Sequence, residues 1–141
     1  LCVEIPMPDL GRLQIHLRRE IGWFRGRPGD LGTGAPLATF DGPVRAIRCA
    51  HSIVTHAGGF GVRLRASLHT GECEFNEQGL PAGSAVQFAG TLLPESPLGG
   101  VVVSRVVKDL VAGSGIRFSE GRNLRIPGQT DPWELYEVVG C

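Results

Sequence analysis

The sequence predicts one mixed α/β (α+β) domain. Three observations carry that prediction: period-two segments alternate with segments of helical period, the alternation runs to the C-terminus, and glycine, proline or a capping residue marks most of the joins. Arg12 to Trp23 sets Leu13, Leu17, Ile21 and Phe24 at helical spacing and stops before Gly26. The glycine- and proline-rich stretch Gly26 to Pro36 reads as a loop or irregular hairpin leading into a short strand, Leu37 to Phe40. Asp41 as N-cap and Pro43 in the first turn open a helix that buries Val44, Ile47, Cys49, Ala50, Ile53 and Val54 and ends at Gly58-Gly59. Val62 to Leu68 alternates as a half-buried strand with Arg63 and Arg65 on its wet face, and Thr70-Gly71 turns it into Glu72 to Phe75 as a hairpin partner. Ser84 starts a helix through Leu92 that ends at Pro94 and Pro97. Gly100 to Val103 is a buried strand, Ser104 caps a helix through Leu110, and Ile116 to Phe118, Asn123 to Ile126 and Trp133 to Val138 are the last strands.

Length and charge narrow the function classes. A chain of 141 residues fits one domain with a full core. Its 14 basic and 14 acidic side chains cancel, which argues against a polyanion-binding surface and so against nucleic acid. Cys2, Cys49, Cys73 and Cys141 lie far apart, which fits neither a zinc knuckle nor a disulfide scaffold and points to a reducing, cytoplasmic setting. Apolar runs such as Val101 to Val103 are far shorter than the ~20 residues of a membrane helix. The chain opens on Leu1, and Pro6 and Pro8 interrupt the start, so residues 1–17 are expected to be irregular and the chain to be a fragment or truncated product.

Local motifs give little chemistry. Gly32-Thr33-Gly34 lacks the Gly-Lys-Ser/Thr of a phosphate loop and reads as a turn. His69, Glu72 and Glu74 lack a further ligand at a recognised spacing and read as solvated hairpin residues. His51 and His56 fall on different helix faces and read as surface residues; Arg18, Arg19, Arg25 and Arg27 read as solvated. No nucleophile elbow is present.

Three longer segments do carry a resemblance. Ala38-Thr-Phe-Asp-Gly-Pro-Val-Arg-Ala-Ile-Arg-Cys-Ala50, Val62-Arg-Leu-Arg-Ala-Ser-Leu-His-Thr-Gly-Glu72 and Val101-Val-Val-Ser-Arg-Val-Val-Lys-Asp-Leu-Val-Ala-Gly-Ser-Gly-Ile-Arg-Phe118 resemble, in order, a strand and helix, a central strand with its turn, and a strand-helix-strand unit of bacterial class III adenylate/guanylate cyclases. The resemblance implies a ferredoxin-like core over residues 18–141, a partial cyclase-homology domain lacking or altering the first strand. It also implies head-to-tail pairing, as a homodimer or with another cyclase domain, around shared ATP or GTP sites.

In that family, Mg²⁺ or Mn²⁺ held by two aspartates activates the ribose hydroxyl and grips the triphosphate. The resemblance matches neither aspartate here: nothing in residues 1–17 fits the first, and Gly34, or Thr33 after a one-residue slide, stands at the second. No resident metal is therefore expected. Asp30 and Leu80 match base-reading positions, Gln87 the ribose-binding position, Thr91 the transition-state arginine, and Arg125 the triphosphate-contacting lysine. The resemblance thus implies a catalytically silent module for dimerisation or nucleotide sensing. An active adenylate cyclase working with a partner chain, and a truncated product without function, are the alternatives.

Overall fold

The computed structural model describes residues 2–4, 10–29, 37–59, 61–71, 74–79, 81–127 and 130–141. In chain order the elements are β1 (Cys2–Glu4), α1 (Leu10–Trp23), β2 (Arg27–Pro28), β3 (Ala38–Thr39), α2 (Pro43–Gly59), β4 (Arg65–Leu68), β5 (Glu74–Phe75), β6 (Pro81–Ala82), α3 (Ser84–Leu92), β7 (Val101–Ser104), α4 (Arg105–Leu110), β8 (Arg117–Phe118), β9 (Arg122–Leu124) and β10 (Trp133–Gly140). A 3₁₀ turn, Leu93–Glu95, extends α3. The main sheet runs β1-β4-β7-β10-β8, with β9 also paired to β10. Strands β4 and β7 are parallel, whereas β1 pairs antiparallel with β4 and β10 antiparallel with β7.

The alternation along each strand sorts side chains onto two faces. Ala66 and Leu68 of β4, Val101 and Val103 of β7 and Val138 of β10 join the larger core with Leu17 and Ile21 of α1, Ile47 and Ile53 of α2, and Val107 of α4. Val102 and Leu135 point the other way and meet Leu92 of α3 and Leu124 of β9. Ser67 lies on this second face too; its buried hydroxyl donates to the Ala89 carbonyl at 2.6 Å and pins α3 to the sheet. Helices therefore cover one face, while α3 crosses the other.

Four expectations are corrected. Residues 1–17 are not uniformly irregular: Cys2–Glu4 forms a strand and the first helix starts at Leu10. Tertiary pairing with the edge of β4 supplies what the proline-flanked sequence does not signal locally, and it gives that edge a partner. Glu74–Phe75 does not return along β4 but pairs with Pro81–Ala82, because both edges of β4 are taken by β1 and β7. Pro43 is itself the first helical residue of α2, and the Gly42 carbonyl accepts from the Ala46 N–H, so the cap is Gly42 rather than Asp41. The expected strand from Val62 is shorter, beginning at Arg65, whose guanidinium reaches the Pro94 carbonyl instead of lying fully in solvent.

The end of α1 divides two tasks between neighbours. Arg25 takes the left-handed turn (φ 61°), and the Gly26 N–H closes onto the Ile21 carbonyl at 2.8 Å. Gly26 is required for close approach, since a Cβ there would lie 2.5 Å from the Phe40 ring.

Candidate functional site

The end of β4, strand β3 and the first turns of α3 enclose a cleft of about 90 Å³ lined by Ala38, Phe40, His69, Thr70, Ala85 and Val86, among others. Its floor exists because β4 leaves the sheet at Leu68 and turns at Gly71, where a Cβ would meet Ala85 at 3.1 Å. Gly83 at φ 115° then lets the chain enter α3. No described residue lining the cleft is a carboxylate, so this lining does not fit a magnesium or manganese ion. Thr33, Gly34, Asp30 and Leu80 lie outside the described residues.

Of the described site residues, Gln87 and Thr91 are both exposed on α3, one helical turn apart. The Thr91 hydroxyl donates to the Gln87 carbonyl at 3.0 Å, the back-bonding that a threonine makes within a helix. Arg125 is exposed immediately after β9. These two elements are tied together: Arg122 of β9 donates to the Glu95 carboxylate at 3.0 Å and to the Glu95 carbonyl, beyond the end of α3, and Leu124 packs with Leu92. Gln87 and Thr91 thus stand on α3 and Arg125 directly after β9, two elements joined by these contacts.

His69 is not the solvated hairpin residue that its sequence neighbours suggest. Its ring is half-buried 5.0 Å from the Trp133 ring and 5.8 Å from that of Phe88, which in turn lies 4.7 Å from Trp133. Nδ1 of His69 shares a 2.9 Å hydrogen bond with the Ser104 hydroxyl, so Ser104, although at the N-cap position of α4, directs its side chain to the residue just after β4 rather than to a helix N–H. The sequence signal was the period-two pattern, which puts His69 on the same face as Ser67, towards α3. Glu74 is exposed, as expected, and His51 is half-buried rather than on the surface.

Burial holds the His69 imidazole below its usual range. A histidine with a depressed folded pKa leaves the unfolded chain to bind the proton first, so stability is fully present above the unfolded value of ~6.5 and is lost as pH falls below it. The urea midpoint is expected to fall between about pH 7 and about pH 5, and His69→Asn to flatten that fall. An equal fall in the variant would assign the effect to other groups.

No protein-family model matches the sequence, and no curated protein matches it either. Solved structures do match. The adenylyl cyclase CyaB from P. aeruginosa superposes with a TM-score of 0.81 at 14% identity, over 99% of this chain and 92% of that one. An adenylate/guanylate cyclase/hydrolase from Silicibacter pomeroyi gives 0.79 at 20% identity, over 99% and 95%. The catalytic core of a rhodopsin-guanylyl cyclase with converted specificity, in complex with ATPαS, gives 0.80 at 13% identity, over 99% and 93%. Among the described residues no helix is long and apolar enough to cross a membrane. Spanning nearly all of this chain and of theirs, the three superpositions establish its fold as that of the class III adenylate/guanylate cyclase catalytic domain.

Proposed function

We propose that this domain is a catalytically impaired cyclase-type module that pairs with a second cyclase domain, a copy of itself or another chain, and serves dimerisation or nucleotide sensing. The observation that carries the reading is Thr91: at the position matched to a transition-state arginine stands a neutral hydroxyl already engaged by the Gln87 carbonyl. An uncharged group of that reach supplies no stabilisation to a developing phosphoryl charge, and loss of one such donor costs about 100-fold or more in turnover. Gln87, Thr91 and Arg125 are all exposed and so open to a second domain, which supports the pairing half of the proposal. Gln87 on α3 and Arg125 after β9 would face ribose and triphosphate, the ligand chemistry that the ATPαS complex of the rhodopsin-guanylyl cyclase core displays in that protein.

The test is cyclic nucleotide formation by the purified chain with ATP or GTP and Mn²⁺. No product above background is expected from the chain alone. Sustained turnover proportional to its concentration would overturn the impaired-module reading and restore the active cyclase.

A further inference from the structure

A second constellation of chemically capable side chains lies between α1 and α2. His16 and Glu20 are one turn apart on α1, Ser52 and His56 one turn apart on α2, and each residue immediately precedes a core residue of its helix: Leu17, Ile21, Ile53 and Ala57. Packing of those four apolar residues aligns the polar pairs along the edge of the helix-helix contact. Nδ1 of His56 lies 3.1 Å from Oε1 of Glu20, and the Ser52 hydroxyl donates to Oε2 of the same carboxylate at 2.9 Å. The His16 ring approaches the His56 ring edge-on with centroids 5.9 Å apart. One ligand atom from each of His16, Glu20 and His56 falls within 4.8 Å of the other two.

We propose that His16, Glu20 and His56 bind a divalent transition ion of the zinc class, bridging α1 to α2. Two imidazoles and one carboxylate are a borderline donor set that suits zinc, cobalt or nickel and not the oxygen-seeking magnesium or calcium. With metal-ligand bonds near 2.0–2.1 Å, tetrahedral donor atoms sit about 3.3 Å apart. The Glu20-His56 edge, at 3.1 Å, is already close to that length, and an edge as wide as 4.8 Å closes with a swing of about 1.5 Å by the His16 ring, within a side-chain rotamer well. Ser52 occupies the outer position that fixes a ligating carboxylate, leaving Oε1 directed at the ion. Three protein ligands leave a fourth coordination position for water, the arrangement of an accessible site rather than a closed structural one. The sequence carries the signal as His-x₃-Glu on one helix, but without the packing of α1 on α2 nothing points to His56 as its complement.

The alternative role of the same groups is a hydrogen-bonded clip with no affinity for metal, and the experiment separates the two. Metal-stripped chain is titrated with ZnCl₂ by calorimetry and with CoCl₂ by visible absorption, with MgCl₂ in parallel. One-to-one zinc binding is expected, with Co²⁺ d–d bands free of a thiolate charge-transfer band, no response to Mg²⁺, and a rise in Tm of about 9 °C once zinc is in ~100-fold excess over Kd. His56 is exposed, so His56→Ala keeps the fold by circular dichroism while weakening zinc binding at least tenfold; His51→Ala, on the same helix but outside the cluster, retains wild-type affinity. Absence of zinc binding by the wild-type chain, unchanged affinity in His56→Ala, or a cobalt-thiolate band would each overturn the proposal.

Discussion

Ile47→Ala lowers the unfolding free energy by about 2–5 kcal/mol, the range for removing a branched aliphatic side chain from a site that does not collapse. Ile47 is 0% exposed and belongs to the cluster that joins α1, α2, α4 and the inner strands. Its neighbours are held from three directions, by helix packing and by strands paired on both edges, so the surrounding atoms relax little into the gap. Against a total stability of ~5–15 kcal/mol for a domain of ordinary size, the loss is a large fraction of the whole. Urea denaturation followed by far-ultraviolet circular dichroism measures it; the midpoint is expected to fall with an unchanged m-value. Ile47→Val, which deletes one methyl, is expected to cost about 0.5–1.5 kcal/mol. Similar losses for the two variants would mean that the site collapses and that the larger core is not rigid at this position.

Legibility in the sequence followed the range of the interactions involved. The long helix from Pro43 to Gly59 and the strand Val101–Ser104 were readable because helical spacing and a β-branched run are set by local chemistry. The pairings were not. Nothing in Cys2–Glu4 announces a strand, which forms because β4, more than 60 residues away in the chain, offers an edge, and the same occupancy diverts Glu74–Phe75 to Pro81–Ala82. His69 looked like a turn residue because its partners, Phe88, Ser104 and Trp133, are brought to it by three other elements. The cyclase-type fold was legible through resemblance in three scaffold segments. The residues matched to the nucleotide site were nameable from sequence, while the hydrogen bond from Thr91 to the Gln87 carbonyl, which occupies the hydroxyl, required coordinates.

The largest expected change in activity comes from giving α3 back a cation. In the pairing we propose, the partner would supply the metal-binding half of one shared site and this chain would supply Gln87 and position 91. The partner chosen is an intact cyclase whose own transition-state arginine has been replaced, so that its homodimers are silent. Wild-type chain mixed with it should remain near background, because Thr91 brings no charge. Thr91→Arg is expected to raise turnover of the mixture about 100-fold, the effect of one positioned donor on a developing phosphoryl oxyanion, while the same variant alone is expected to stay silent, on the proposal that its own side lacks the metal-binding aspartates. The substitution suits the helix. Thr91 is exposed, arginine has the higher helical propensity, and the bond surrendered is a local one to the carbonyl one turn back. Cyclic nucleotide assay of the two mixtures at equal concentration measures the gain, and light scattering confirms that a pair forms. A paired Thr91→Arg mixture no faster than the wild-type mixture would remove position 91 from the shared site, whereas turnover by the variant alone would show that this chain carries a metal-binding half of its own.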